Sequence, residues 1–145
     1  MHAIAANFTG DPPMIVKHYN DLAGTKNETS LGNGRAITRR FLLAEDGVGF
    51  TLSDIRMKAG ETAPLWYKHH IEANYIIEGE GTLEVLDTGA SFELEPGVMY
   101  CLNQHERHRI ICRTAIRMIC VFNPPLIGGE VHDGSGTYPA PRHQA

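Results

Sequence analysis

At 145 residues, 42% apolar and 21% charged, the chain has the composition of one soluble globular domain with a single core. A net charge of −4 with no Lys/Arg cluster argues against nucleic acid as the main partner. No apolar run approaches the roughly 20 residues of a membrane-spanning helix, and the first residues lack the basic segment of a secretion signal.

In chain order, residues 1–13 read as a flexible tail, residues 14–139 as one domain and residues 140–145 as a second short tail. A short helix fits near Tyr19–Leu22. Strand-forming runs follow at Phe41–Leu43, Phe50–Leu52, Asn74–Ile77, Thr82–Leu86, Met99–Leu102, Arg109–Cys112 and Met118–Phe122. Turn signals separate them at Glu45-Asp46-Gly47, Gly79-Glu80-Gly81, Asp87-Thr88-Gly89 and Glu95-Pro96-Gly97. No helical period persists over a long window. Many short, evenly spaced strands predict an all-β sandwich or barrel. Asn123-Pro124-Pro125 ends the last clear strand, and the Gly/Pro-rich segment beyond it carries Glu130, His132, Asp133 and Tyr138. Such a segment usually solvates its own polar groups, but loops also carry chemistry. Cys101, Cys112 and Cys120 form no CxxC pair and read as buried or half-buried thiols in a reducing cytoplasm.

Certain residues fall at the spacing of a cupin, a small jelly-roll β-barrel. Glu72 and Gly79 fit its first motif, and Pro96, Gly97 and His108 fit its second. Trp66 and Lys68 stand where the first motif's histidines belong, so Glu72 and His108 are the metal ligands that remain. Tyr100 is the candidate to complete the set. A carboxylate, a phenolate and an imidazole suit Fe(II), Mn or Zn and leave positions open for substrate. The bland readings are a core tyrosine, a rim histidine and a surface carboxylate; the three together at cupin spacing favour a metal. The Tyr100 proton, with a free pKa of about 10, would have to be displaced by the metal's charge. His69 and His70 are adjacent and cannot both point inward on a strand; His69 and His105 are expected at the surface.

The blocks His70-Ile71-Glu72-Ala73, Pro96-Gly97-Val98-Met99-Tyr100, His105-Glu106-Arg107-His108, Cys120-Val121-Phe122-Asn123-Pro124-Pro125 and Glu130-Val131-His132-Asp133 carry more than a general cupin pattern. Together with Ser135-Gly136 and Tyr138-Pro139 they resemble ectoine synthase, from about Met14 to Pro139. The resemblance implies a cytoplasmic, homodimeric cupin enzyme that closes N-γ-acetyl-L-2,4-diaminobutyrate into ectoine with loss of water. It implies iron held by Glu72, Tyr100 and His108, and pocket residues Arg40, Tyr67, Phe122, Glu130 and His132. In chemical terms Arg40 could clamp the substrate carboxylate, and Glu130 and His132 could move protons. Phe122 and Tyr67 could wall the pocket against water.

The chain also departs from that pattern. Counting from Asp46-Gly47, a pocket Trp falls at Ala36, a pocket Thr at Ile55, and a third polar position at Ser53. Trp66 is a candidate to refill the space at Ala36. The rival readings are therefore a metal-dependent relative acting on another short amino-acid derivative, an oxygenase, and a non-catalytic small-molecule-binding cupin. A site with one histidine weighs against the oxygenase, whose usual triad has two.

Overall fold

The computed structural model describes residues 14–141. The expected tail 1–13 and residues 142–145 of the second tail lie outside the described residues. Ten strands alternate with turns: β1 (Glu28–Leu31), β2 (Ala36–Arg40), β3 (Thr51–Met57), β4 (Gly60–Glu61), β5 (Ile71–Glu78), β6 (Gly81–Val85), β7 (Ser91–Leu94), β8 (Met99–Cys101), β9 (His108–Cys112) and β10 (Ile116–Asn123). Single turns of 3-10 helix span Tyr19–Leu22 and Ala44–Asp46. The chain is the all-β cupin barrel that the sequence predicts. Among the described residues no helix is long and apolar enough to cross a membrane.

Antiparallel pairing builds two sheets, one ordered β1-β2-β3-β10-β5-β8 and the other β4-β9-β6-β7. Strands β5, β9 and β10 alternate strictly between buried and less buried residues. Along β10, Ile116, Met118, Cys120 and Phe122 are buried while the residues between them are partly exposed. On β5 the inward set is Glu72, Asn74 and Ile76. Two of these three are polar, placed where the period of two demands a core residue. That local break in an otherwise apolar pattern is what builds the site. Gly79, in the turn from β5 to β6, has φ +90°, and a Cβ there would run into the Ala115 carbonyl oxygen. The turn therefore needs glycine on two counts.

Two expectations, one of a strand and one of a buried thiol, are corrected. Phe41–Leu43 is not a strand; β2 ends at Arg40, and Leu43 is fully buried in the loop that follows. Its apolar character serves core packing, not a ladder. The Cys101 thiol is exposed, whereas Cys112 and Cys120 are buried as expected, and all three are free.

Candidate active site

Between the sheets lies a cavity of about 760 Å³. Glu72, Asn74, Tyr100, Met118 and Cys120 line one wall, and His132 and Asp133 reach it from the loop after β10. The register explains the first group. Asn74 pairs with Tyr100 across β5 and β8 and with Cys120 across β5 and β10, and Glu72 follows on the same face. The segment 131–138 is tied to residues 66–68 by Trp66 N–H to Gly136 O (2.9 Å) and Lys68 N–H to Thr137 Oγ1 (3.1 Å), and is closed on itself by Asp133 N–H to Thr137 O (2.9 Å).

Each expected metal ligand is buried or half-buried and poorly partnered. Burial pushes the Glu72 carboxyl up to about 7, opposed by the neighbouring Asn74 side chain. The Asn74 amide itself makes no hydrogen bond of good geometry. Tyr100 is held well above its ordinary value by burial first and by the Glu72 charge second. Its hydroxyl finds only the Met118 sulfur, at 3.8 Å. His108 is fully buried, and its Nδ1 lies 3.0 Å from the Glu106 carbonyl oxygen. A carbonyl only accepts, so Nδ1 carries the proton and Nε2 keeps its lone pair. That Nε2 is buried without a hydrogen-bond partner. Burial lowers the His108 pKa, which keeps the ring neutral. Among the described residues no three His, Cys, Asp or Glu side chains cluster at metal-binding distance. A centre here would therefore need the Tyr100 oxygen.

Tyr67 is the hub of an aromatic box. Its ring lies 5.3 Å from Phe122, 5.2 Å from Tyr138 and 5.9 Å from His108. Its hydroxyl is 2.8 Å from His132 Nε2. Burial, then the Glu72 charge, raises Tyr67 well above its ordinary value, so the phenol keeps its proton, which it donates to that nitrogen when His132 carries its own proton on Nδ1. Burial and the Arg40 charge depress His132 to about 4. His132 stacks on Tyr138 at 4.5 Å and 9°. Tyr67 and His132 thus form a neutral, oriented donor–acceptor pair on the cavity wall.

Other expected residues lie outside the lining. Phe122 backs Tyr67 from behind. Arg40 is only 1% exposed. Its Nη2 donates to the Glu130 carbonyl at 2.9 Å, its Nη1 to Thr29 Oγ1 at 3.3 Å, and Nη1 lies 3.7 Å from Glu130 Oε1. Glu130 in turn accepts from the Ile127 and Gly128 amides at 2.6 and 2.7 Å. The pair pins the loop after β10 to β2 and leaves neither side chain free for a small molecule. Breaking a buried ion pair from one side strands the other charge and costs roughly 3 kcal/mol. Arg40→Met should therefore lower the melting temperature by about 10 °C, and calorimetry showing a shift of only a degree or two would remove this anchoring role.

His69 and His105 are exposed, as expected, although His105 Nδ1 donates to the Tyr67 carbonyl at 2.7 Å. His70 is buried against Phe122 and Tyr138. Ala36, Ile55 and Trp66 all line the cavity, and the Trp66 ring lies against Lys68 and Arg107. Sequence reasoning missed Asn74. The period of two, counted from Glu72, would have found it.

The ectoine synthase family profile matches residues 14–142. The chain is 52% identical over 126 residues to the L-ectoine synthase of Virgibacillus pantothenticus, covering 87% of this chain and 97% of that protein. It is 46% identical over 128 residues to the L-ectoine synthase of Mycobacterium sp. (strain KMS), covering 88% and 98%. The solved structure of ectoine synthase from P. lautus gives a TM-score of 0.73 at 47% identity, over 79% of this chain and 81% of that one. The polyketide cyclase RemF from Streptomyces resistomycificus, 20% identical with a TM-score of 0.63 over 85% and 90%, shares the fold alone. With a profile match across the whole described barrel, and about half of all residues shared over almost the full length of these relatives, the chain belongs to the ectoine synthase family.

Proposed function

We propose that this protein closes N-γ-acetyl-L-2,4-diaminobutyrate into ectoine, as a carbon–oxygen hydro-lyase with iron(II) at Glu72, Tyr100 and His108. The observation that carries the metal is His108. Its Nδ1–H is fixed on a backbone carbonyl, and its Nε2 lone pair is buried and unused. A metal-ligating histidine commonly has this arrangement. A desolvated Glu72 carboxyl and a nearly unpartnered Tyr100 hydroxyl fit the same centre. The donor set also suits zinc or manganese. Bound there, the ion would supply Lewis acidity toward the acetyl carbonyl.

The chain's own residues account for the protons. The α-amine nitrogen bonds to the acetyl carbon, and the carbonyl oxygen leaves as water. The amine must lose two protons and the oxygen must gain two. The relay runs twice: each time Tyr67 accepts a proton from the amine nitrogen while passing its own to His132 Nε2, and the reverse shift delivers a proton to the oxygen, first forming the hydroxyl and then the departing water. With its pKa depressed to about 4, His132 gives the proton back readily. Phe122 and Tyr138 hold the Tyr67 ring in place. Arg40 and Glu130 act by fixing the loop that carries His132, which differs from the direct substrate contacts that the resemblance implies.

The reaction is tested under low oxygen, with iron-reconstituted protein and mass spectrometry. Loss of one water from the acetyl substrate, with formation of ectoine, is expected. No conversion by folded, iron-loaded protein would sink the proposal. Oxygen uptake coupled to turnover would favour an oxygenase instead.

A homodimer in the cytoplasm belongs to the same reading. Tyr75, Phe92 and Met99 are 48%, 56% and 60% exposed, on β5, β7 and β8, the last two being sheet edges. Exposed apolar residues beside open edges suit a self-contact. A monomer in sedimentation at micromolar concentration would remove that part. Three free cysteines suit a reducing compartment.

A further inference from the structure

Asn74 is a polar side chain of the cavity wall that neither the metal nor the proton relay uses. It is 1% exposed, it lines the cavity, and neither its Nδ2 nor its Oδ1 has a hydrogen-bond partner. It stands at an inward position of β5, where the period of two calls for an apolar residue. A buried amide with both ends unpaired is costly to a fold unless something else completes it. Glu72 precedes it by two residues on the same face. A carboxylate only accepts, so the amide turns its Nδ2 donors that way. The Asn74 side chain does oppose the upward push of burial on that carboxyl. Oδ1 is left as a buried acceptor without a donor.

The proposed substrate offers two donors. Its α-amine faces Tyr67 and His132, and its carboxylate carries no proton. The N–H of the acyl amide remains. Asn74 follows Glu72 by about 6.7 Å along β5, and it lies opposite Tyr100, about 5 Å across the ladder. Within an amide the nitrogen is about 2.3 Å from the carbonyl oxygen, and a hydrogen bond spans about 3 Å more. An acyl oxygen held between Glu72 and Tyr100 therefore carries a donor whose reach, about 5 Å, matches the spacing of Asn74 from those residues. The contact also gains strength as the ring closes. A cyclic amidine is protonated at neutral pH and shares its positive charge between both ring nitrogens. A carbonyl oxygen on such an N–H makes a charge-assisted bond, so Oδ1 favours the developing charge over the neutral substrate. No proton moves to or from Asn74.

Resting on the reaction proposed above, we infer that Asn74 Oδ1 accepts a hydrogen bond from the acyl-amide N–H and makes this cavity selective for secondary amides over the matching esters. An ester oxygen in that place brings no proton and sets a lone pair against Oδ1. A site built around a donor rejects the analogue that lacks it.

The test uses two compounds that lack the α-amine and cannot cyclise, 4-acetamidobutyrate and its ester counterpart 4-acetoxybutyrate. Dissociation constants on the iron-loaded full-length chain come from ligand-dependent melting temperatures, for wild type, Asn74→Leu and Asn74→Val. Wild type should bind the amide about tenfold or more tighter than the ester. In both variants that advantage should shrink to within about twofold, by weaker amide binding, with ester affinity and iron content unchanged. The ligand-free melting temperature of Asn74→Leu should hold or rise, because an unpaired buried amide is removed. The kcat/KM for N-γ-acetyl-L-2,4-diaminobutyrate should fall about tenfold or more. An amide-to-ester ratio that the substitutions leave unchanged, an equal loss for both compounds, or no binding of either by wild type overturns the inference. Loss of iron from both variants overturns it too, and would make Asn74 a support of Glu72. Failure of folded wild type to form ectoine counts against the reaction alone, because the amide-to-ester ratio is read without turnover.

Discussion

Glu72→Ala and His108→Ala should each reduce bound iron to background and abolish ectoine formation. In the proposed centre each change removes one of three protein donors. Loss of even an outer-shell partner of a ligand typically costs ten- to a hundredfold in affinity, so loss of a ligand itself should exceed a hundredfold. The two variants should differ in stability. Glu72→Ala removes a carboxyl that is desolvated beside an incompletely satisfied amide, so the metal-free protein should lose little. His108→Ala leaves a cavity and frees the Glu106 carbonyl, and should cost about 2 kcal/mol. Iron content by atomic absorption on folded protein is the check. Full occupancy in both variants would mean that these residues hold no metal.

Tyr67→Phe should keep the fold and the iron and lose between about a hundredfold and ten-thousandfold in kcat, the range for a general acid–base group. The ring contacts with Phe122, Tyr138 and His108 survive the change; only the oxygen facing His132 disappears. His132→Gln should lose a comparable amount, and the double variant should be little worse than either single one, because the two act as one relay. Near-normal turnover by Tyr67→Phe would remove the relay. The pH dependence carries a sign. His132 is depressed to about 4 in the folded chain, against an ordinary value of 6.5. Between those values the unfolded chain binds a proton that the folded chain refuses. The His132 contribution therefore holds above about pH 6.5 and falls as the pH drops toward 4, by about 2 kcal/mol after allowing for partial exposure, while the raised Glu72 carboxyl contributes with the opposite sign as the pH falls from about 7. In His132→Gln that component of the acid-side loss should vanish. A wild-type curve that loses no more stability than His132→Gln between about pH 6.5 and 4.5 would contradict the buried, neutral histidine.

Much of this molecule is written locally. Asn74–Ile77, Thr82–Leu86, Met99–Leu102, Arg109–Cys112 and Met118–Phe122 all read as strands because alternation and β-branching are properties of neighbours in sequence. They correspond to β5, β6, β8, β9 and β10. The strands that escaped are polar or very short. β1 reads Glu-Thr-Ser-Leu, β2 ends in two arginines, β4 has two residues, and β7 opens on an exposed Ser-Phe-Glu. Arg39 and Arg40 can close a strand because their charges are met from elsewhere, by Glu28 at 2.6 Å and by Glu130 ninety residues away. A window of sequence holds no trace of that compensation.

The same division runs through the candidate site. Spacing and chemical type, which are one-dimensional facts, named Glu72, Tyr100 and His108 for a metal, while the family resemblance named Glu130 and His132 for protons and Tyr67 and Phe122 as pocket walls. Which polar atoms are left without partners is a three-dimensional fact. Tertiary structure committed Arg40 to Glu130, buried the His108 Nε2 lone pair, joined Tyr67 to His132, and left the Asn74 amide unpaired on the cavity wall. Desolvation and pairing depend on what the fold brings within a few ångströms, and strands distant in sequence supply those neighbours here.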